Sequence, residues 1–225
     1  MSESTAEPTR TRGHKKKART RRKLLSAAVD VIAARGESFT VSDVVAHAGV
    51  SHGTFYNYFD DREQLIEAVV PEVLRAFAAE GAANVVDADP ATRFATITAM
   101  AFVRAGVTPD AVRVVLRLET VQQAIRSGAV VAHLRSDLAE GAASGRFDVV
   151  DPDATLDVVL GTMLLACRRI IDDPVADEYP SQVIDVLLRS LGLDRVEAST
   201  IAEASVARAV QLQLDAVDGP TTTPS

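Results

Sequence analysis

The chain has 225 residues, 24 Lys and Arg against 31 Asp and Glu, one Cys, no Trp and 47% hydrophobic residues. That length and apolar content suit one or two domains with a buried core and exclude disorder along the whole chain. No apolar run approaches the ~20 residues of a membrane span, and the opening MSESTAEPTRTRGHKKK has no apolar stretch of the kind a secretory signal needs. A lone Cys167 forms no internal disulfide. These features predict a soluble, cytoplasmic protein with no membrane partner.

The net charge of −7 is unevenly divided: residues 1–62 carry 11 basic and 7 acidic residues, whereas residues 63–225 carry 13 and 24. Lys15, Lys16, Lys17 and Lys23 fall together, beside Arg10, Arg12, Arg19, Arg21 and Arg22. Such a run is either a solvated tail or an electrostatic footprint for a polyanion. The residues on its C-terminal side decide between the two.

Strand signals are nearly absent, while Ala, Leu, Arg and Glu dominate and apolar residues recur at three and four, so the chain reads as all-α with nine or ten helices. The first helix, about 16–35, places Leu24, Leu25, Ala28, Val31 and Ile32 on one face and stops at Gly36. Thr40, with Asp43 three residues on, caps a short helix whose inner face is Val44, Val45 and Ala48. Ala48-Gly49-Val50 breaks it, and Ser51 caps a second short helix predicted to run through Tyr58. Asp60 with Glu63 caps a longer helix with Leu65, Ile66 and Val69 inward. Helices this closely spaced, with a glycine turn between them, describe a helix-turn-helix unit. Beyond it, breaks are predicted at 87–90, 108–110, 127–128, 144–145, 151–152, 172–174 and 192–194, with Pro90, Pro109, Pro152 and Pro180 opening new helices. Residues 1–14 and 218–225 read as disordered tails.

An α-helix fits the major groove of DNA, where each base pair shows its own donor and acceptor pattern. A reading helix must be short, capped and decorated with small or polar residues. The segment from Ser51 to Phe59 meets that demand: Phe55 and Phe59 share an inward face, and His52, Gly53, Thr54, Tyr56, Asn57 and Tyr58 are left outside. Gly53 has no side chain to hold the backbone away from base edges.

Here the sequence resembles a family. LLSAAVDVIAARG, then FTVSDVVAHAGVSHGTFYNYFDDREQLIEAVV, is similar to the N-terminal DNA-binding domain of TetR-type, tetracycline-repressor-like bacterial regulators, over roughly residues 18–75. The matching features are the first helix ending in Arg-Gly, the Ala-Gly-Val-Ser turn, and Gly-Thr-Phe-Tyr followed by Tyr-Phe. Arg62 departs from the pattern, standing where Lys is usual. The resemblance implies that Thr40 and Arg62 bind phosphate, that Ser51, Thr54, Tyr56 and Tyr58 hold the DNA backbone by their hydroxyls, and that His52 and Gly53, helped by Asn57, face bases. The competing roles are core packing for the tyrosines and a solvated surface position for His52. The basic arm is placed to track phosphates or reach the minor groove. The implied organisation is a DNA-binding domain over 15–62, with the next helix running to about 75, and a ligand-binding and dimerisation bundle over 76–217.

Two later segments, LDVVLGTMLLACRRII and VIDVLLRSL, are apolar on more than one face and so need cover on both sides. They are either internal core helices or a homodimer interface, the latter built from Leu156, Leu160, Met163, Leu164, Cys167, Ile171, Val183, Leu187 and Leu191. A two-fold dimer would present two reading helices to a near-palindromic operator in double-stranded DNA. For a cavity holding a small-molecule effector, the expected lining is Phe77, Phe94, Met100, Phe102, Leu116, Phe147 and Met163, with ordinary core packing as the competing role of each. Arg113 and Arg117, near Arg104 and Glu119, are either ligand-facing or ion-paired. No phosphate loop, nucleophile elbow or metal-ligand spacing of histidines occurs. An enzyme, a cofactor and a metal are therefore not expected. The reading is a sequence-specific, ligand-released repressor; its rivals are a non-sequence-specific nucleic-acid binder and an all-α enzyme or interaction protein with the helix-turn-helix as scaffold.

Overall fold

Capping side chains divide the chain into its helices in the computed structural model, which describes residues 12–85, 89–116 and 131–218. The order is α1 (Arg12–Arg35), a 3-10 turn (Gly36–Ser38), α2 (Val41–Ala48), α3 (His52–Tyr56), α4 (Arg62–Asn84), α5 (Pro90–Val107) and α6 (Pro109–Val115). Then come α7 (Ala132–Ala143), α8 (Pro152–Asp172), α9 (Tyr179–Ser190) and α10 (Arg195–Asp218). Among the described residues there are thus ten α-helices and no strand.

The predicted starts hold at Thr40, Ser51, Asp89 and Asp151, each of whose side chains accepts a backbone N–H of the helix it opens. Pro90, Pro109, Pro152 and Pro180 all lie in first turns. Three boundaries differ. Helix α1 begins at Arg12, four residues before the expected start, because Lys and Arg are good helix formers even where nothing covers them. Helix α3 ends at Tyr56, where the Asn57 and Tyr58 amides turn back onto Thr54 and Phe55. Asp61, not Asp60, caps α4: its carboxylate accepts from Gln64 N at 2.8 Å, and the Gln64 side chain in turn accepts from Asp60 N. The expected break at 127–128 lies outside the described residues.

Two apolar clusters form. Helices α1 to α4 enclose Leu24, Ala28, Val44, Phe55, Phe59, Leu65 and Val69, together with Val114 contributed by α6. Helices α5 to α10 form the second, in which the small residues Ala91, Ala95 and Ala99 of α5 and Ala198, Ala202 and Ala209 of α10 let the two axes approach closely. A Thr96 to Ser205 hydrogen bond of 3.3 Å satisfies the buried hydroxyls between them.

Helices α4 and α6 join the clusters. Leu65 of α4 lies in the first and Phe77 packs on the second. The start of α6 presses on the turn after α1: Gly36 has φ +53°, and a Cβ there would fall 2.2 Å from Cβ of Asp110. Only glycine meets both demands.

Candidate functional site

The N-terminal surface is built on α3. Ser51 Oγ accepts from Thr54 N at 3.1 Å and lies 2.9 Å from Thr54 Oγ1, so the hydroxyls of both residues brace the first turn. Phe55 is fully buried, 5.6 Å from the Phe59 ring and edge-on to Tyr56, and anchors the helix. On the opposite side His52, Gly53, Tyr56 and Asn57 are exposed, Tyr56 to 55%. Tyr58 is half-buried against the first cluster. Helix α2 is set behind α3 by Gly49, whose φ of +58° ends the helix in the left-handed conformation.

Thr40 is bound into a complete capping box. Its hydroxyl and its amide donate to Asp43 at 2.7 and 2.8 Å, and these two bonds hold the Asp43 carboxyl below the usual range. The exposed Thr40 hydroxyl therefore stands at a helix N-terminus, which favours anions. Arg62 is engaged within the chain: its nitrogens donate to the carbonyls of Phe39 and Glu37 at 3.1 and 2.7 Å and to Glu63 at 2.9 Å. Lys16, Lys17, Arg19, Arg21, Arg22 and Lys23 are exposed along the first turns of α1. Arg21 also lies 5.6 Å from the centre of the Phe59 ring, beside the end of α3.

Behind this surface is a cavity of about 500 Å³ between α1, α4, α5, α6, α7 and α8. Of the residues proposed from sequence, Phe77, Phe94, Leu116 and Met163 line it. Met100, Phe102 and Phe147 do not; they fill the second cluster, with Phe147 edge-on to Phe94 at 6.4 Å. Arg113 is held at the surface by Asp110 and Asp172 at 2.7 and 3.0 Å. Arg117 lies outside the described residues. Sequence reasoning missed Ala101, Val112, Leu134 and His133, which share the wall; their spacing matches that of any core-facing helix.

The wall is overwhelmingly apolar, and much of its polar fringe is bound within the chain. Asp137 accepts from Arg93 at 2.7 Å, Arg104 pairs with Glu80 at 3.1 Å over the Phe77 ring, and Thr98 donates to the Phe94 carbonyl. Burial pushes the thiol of Cys167, also on the wall, up to about 12. A preformed apolar space of this size fits a small organic ligand.

The two greasy helices divide their faces differently from the expected interface. Leu156, Cys167, Leu187 and Leu191 are buried in the chain's own core, Leu160, Met163 and Leu164 face the cavity, and Ile171 and Val183 are half-buried. Their exposed apolar residues are Val158 (58%), Leu165 (70%) and Val186 (53%). A helix apolar around most of its circumference hides which of its stripes faces inward.

Among the described residues no group of three His, Cys, Asp or Glu is placed to hold a metal, and no helix is long and apolar enough to cross a membrane.

Residues 24–69 match the bacterial regulatory proteins of the tetR family, and residues 89–204 match the tetracyclin repressor-like C-terminal domain. An uncharacterized HTH-type transcriptional regulator of Bacillus subtilis (strain 168), YvdT, is 42% identical over 53 residues, 23% of this chain and 27% of that protein. The chain thus matches about a quarter of the length of that relative. The crystal structure of RolR in complex with resorcinol superposes with a TM-score of 0.72 at 26% identity, covering 84% of this chain and 95% of that one. Full-length TylP from Streptomyces fradiae, at 22% identity and a TM-score of 0.59, shares the fold over 87% of this chain and 99% of its own. With the C-terminal domain match alone spanning more than half its length, the chain belongs to the TetR family of bacterial regulatory proteins.

Proposed function

We propose that this protein is a transcriptional repressor that binds a near-palindromic operator as a homodimer and leaves it when a small, mainly apolar molecule fills the cavity. The observation that carries this is the combination of an exposed α3 on a fully buried phenylalanine anchor with an apolar cavity whose wall shares two helices with that domain.

In this reading His52 and Gly53, with Asn57, face base edges, while Thr40, Ser51, Thr54, Tyr56 and Tyr58 hold phosphates by their hydroxyls. The exposed basic residues at the start of α1 add phosphate charge. Dimerisation joins α8 and α9 of two copies through Val158, Leu165 and Val186, and Gly161, where an added Cβ would meet nothing within 4 Å, allows close approach. The two α3 helices then stand one duplex turn apart, ~34–36 Å.

Release follows from the shared helices. Val112 and Val115 of α6 line the cavity while Val114 sits in the head's core; Val69 and Phe77 of α4 also line it. A ligand that fits the cavity better when α4 and α6 are displaced shifts the population toward a spacing of heads that no longer matches the grooves. RolR, whose crystal structure holds resorcinol, supports a small aromatic effector. Catalysis has no part in the cycle, and acting on the chromosome places the protein in the cytoplasm. The test is to select a fragment from the source genome, footprint it, and titrate the complex with resorcinol and related phenols. Two protected half-sites, lost on adding a phenol, support the reading; equal affinity for random duplex overturns it.

A further inference from the structure

We propose that Arg62 is a positioning residue that latches the reading head to the turn on which α6 presses, and that it contributes no phosphate contact. The proposal rests on the DNA-binding reading above.

Each of the three guanidinium nitrogens of Arg62 is engaged inside the chain. Nε donates to the Phe39 carbonyl at 3.1 Å, Nη2 to the Glu37 carbonyl at 2.7 Å and Nη1 to Glu63 at 2.9 Å. The guanidinium carbon lies 4.2 Å from the centre of the Phe39 ring, and the side chain is only 25% exposed. The two carbonyls flank Ser38 and immediately precede Thr40, the cap of α2. One side chain at the first residue of α4 thus fixes the approach to α2, the helix that supports α3. The other side of the same turn meets α6 at Gly36 and Asp110. The segment 36–39 is held between a helix on the cavity wall and the helix that opens with Arg62.

Arginine suits this task and lysine does not. A planar fork donates to two carbonyls at once while lying on an aromatic face, whereas an ammonium is a single point charge with no stacking surface. Turning Arg62 outward to a phosphate would leave the Glu37 and Phe39 carbonyls without these donors and uncover the Phe39 ring.

The test compares wild type, R62K and R62A on two probes, the genomic fragment selected by wild type and a random-sequence duplex of equal length, between about 50 and 200 mM salt. The latch predicts that R62K and R62A both weaken binding to the selected fragment by about tenfold or more, because head geometry is lost. Both variants keep the wild-type salt slope on random duplex, since a true phosphate contact accounts for about 0.9 of that slope. The opposite pattern overturns the proposal: full binding of the selected fragment by R62K, with a slope lowered by about 0.9 in R62A alone. A second measurement needs no variant. In wild type the Arg62 Nε–H should exchange slowly, carry a ring-current shift from Phe39, and stay in place when random duplex is added; rapid exchange, or movement on adding duplex, overturns the latch. Should wild type bind no duplex at all, the DNA-binding reading fails by itself, and exchange of this Nε–H still decides whether the latch exists.

Discussion

The two apolar clusters use the same kinds of residue and fill space to different degrees. Around Phe55, Leu65 and Val44 the helices of the head close on one another, and these three side chains are wholly enclosed. Around Phe94 and Met163 the helices of the body leave about 500 Å³ open. A closed core holds one geometry, as a DNA reader requires, whereas a cavity is a deficit of contacts that a ligand can supply. Helices α4 and α6 run between the two, so a change in how the body is filled has a mechanical route to the head.

Truncation of the head core should have the largest effect. Phe55→Ala should cost about 3–5 kcal/mol and abolish the two-state denaturant transition of the head, followed by circular dichroism with hydrogen exchange. A loss below about 1 kcal/mol would mean that the head is not closed. Next, Tyr56→Ala should leave helicity and melting unchanged while weakening operator binding by about ten- to a hundredfold, the range for a hydrogen bond to a charged group. Unchanged binding would remove Tyr56 from the interface.

Thr40→Ala should destabilise α2 by about 0.5–2 kcal/mol, read as faster amide exchange across Val41–Ala48. The same box makes the wild type acid-sensitive. Because the folded pKa of Asp43 is lowered, its contribution is present above the ordinary carboxylate range and is lost as pH falls through the lowered value. Acid titration of wild type should therefore speed exchange in α2, and Asp43→Asn should flatten that dependence. The smallest effect is expected at the cavity wall: Leu134→Ala, already half-exposed, should cost about 1 kcal/mol. The contrast between Phe55 and Leu134 sharpens the comparison of the two regions, and equal costs would break it.

Local signals were the legible ones. Thr40, Ser51 and the four first-turn prolines act on their own backbones within three residues, so a linear sequence displays them. Phe55 and Phe59 were legible for the same reason, by helical spacing. Contacts across the fold were not. The partners of Arg62 are backbone carbonyls 23 and 25 residues away, with no side-chain signature. Phe94 lines the cavity and Phe102 does not, although both sit on the buried side of α5; the difference depends on which neighbouring helix stands off. Leu156 and Val158 trade places between core and surface because a stretch apolar on both sides has no polar stripe to orient it.

Ligand-released operator binding is tested most directly by a footprint of the wild-type protein on the genomic fragment it selects, read with and without a cavity-filling phenol. The predicted result is two protected half-sites centred ~34–36 Å apart, contacted in the major groove, with protection lost when the phenol is added. A single unpaired footprint, or uniform protection that random duplex abolishes in equal amount, would contradict it.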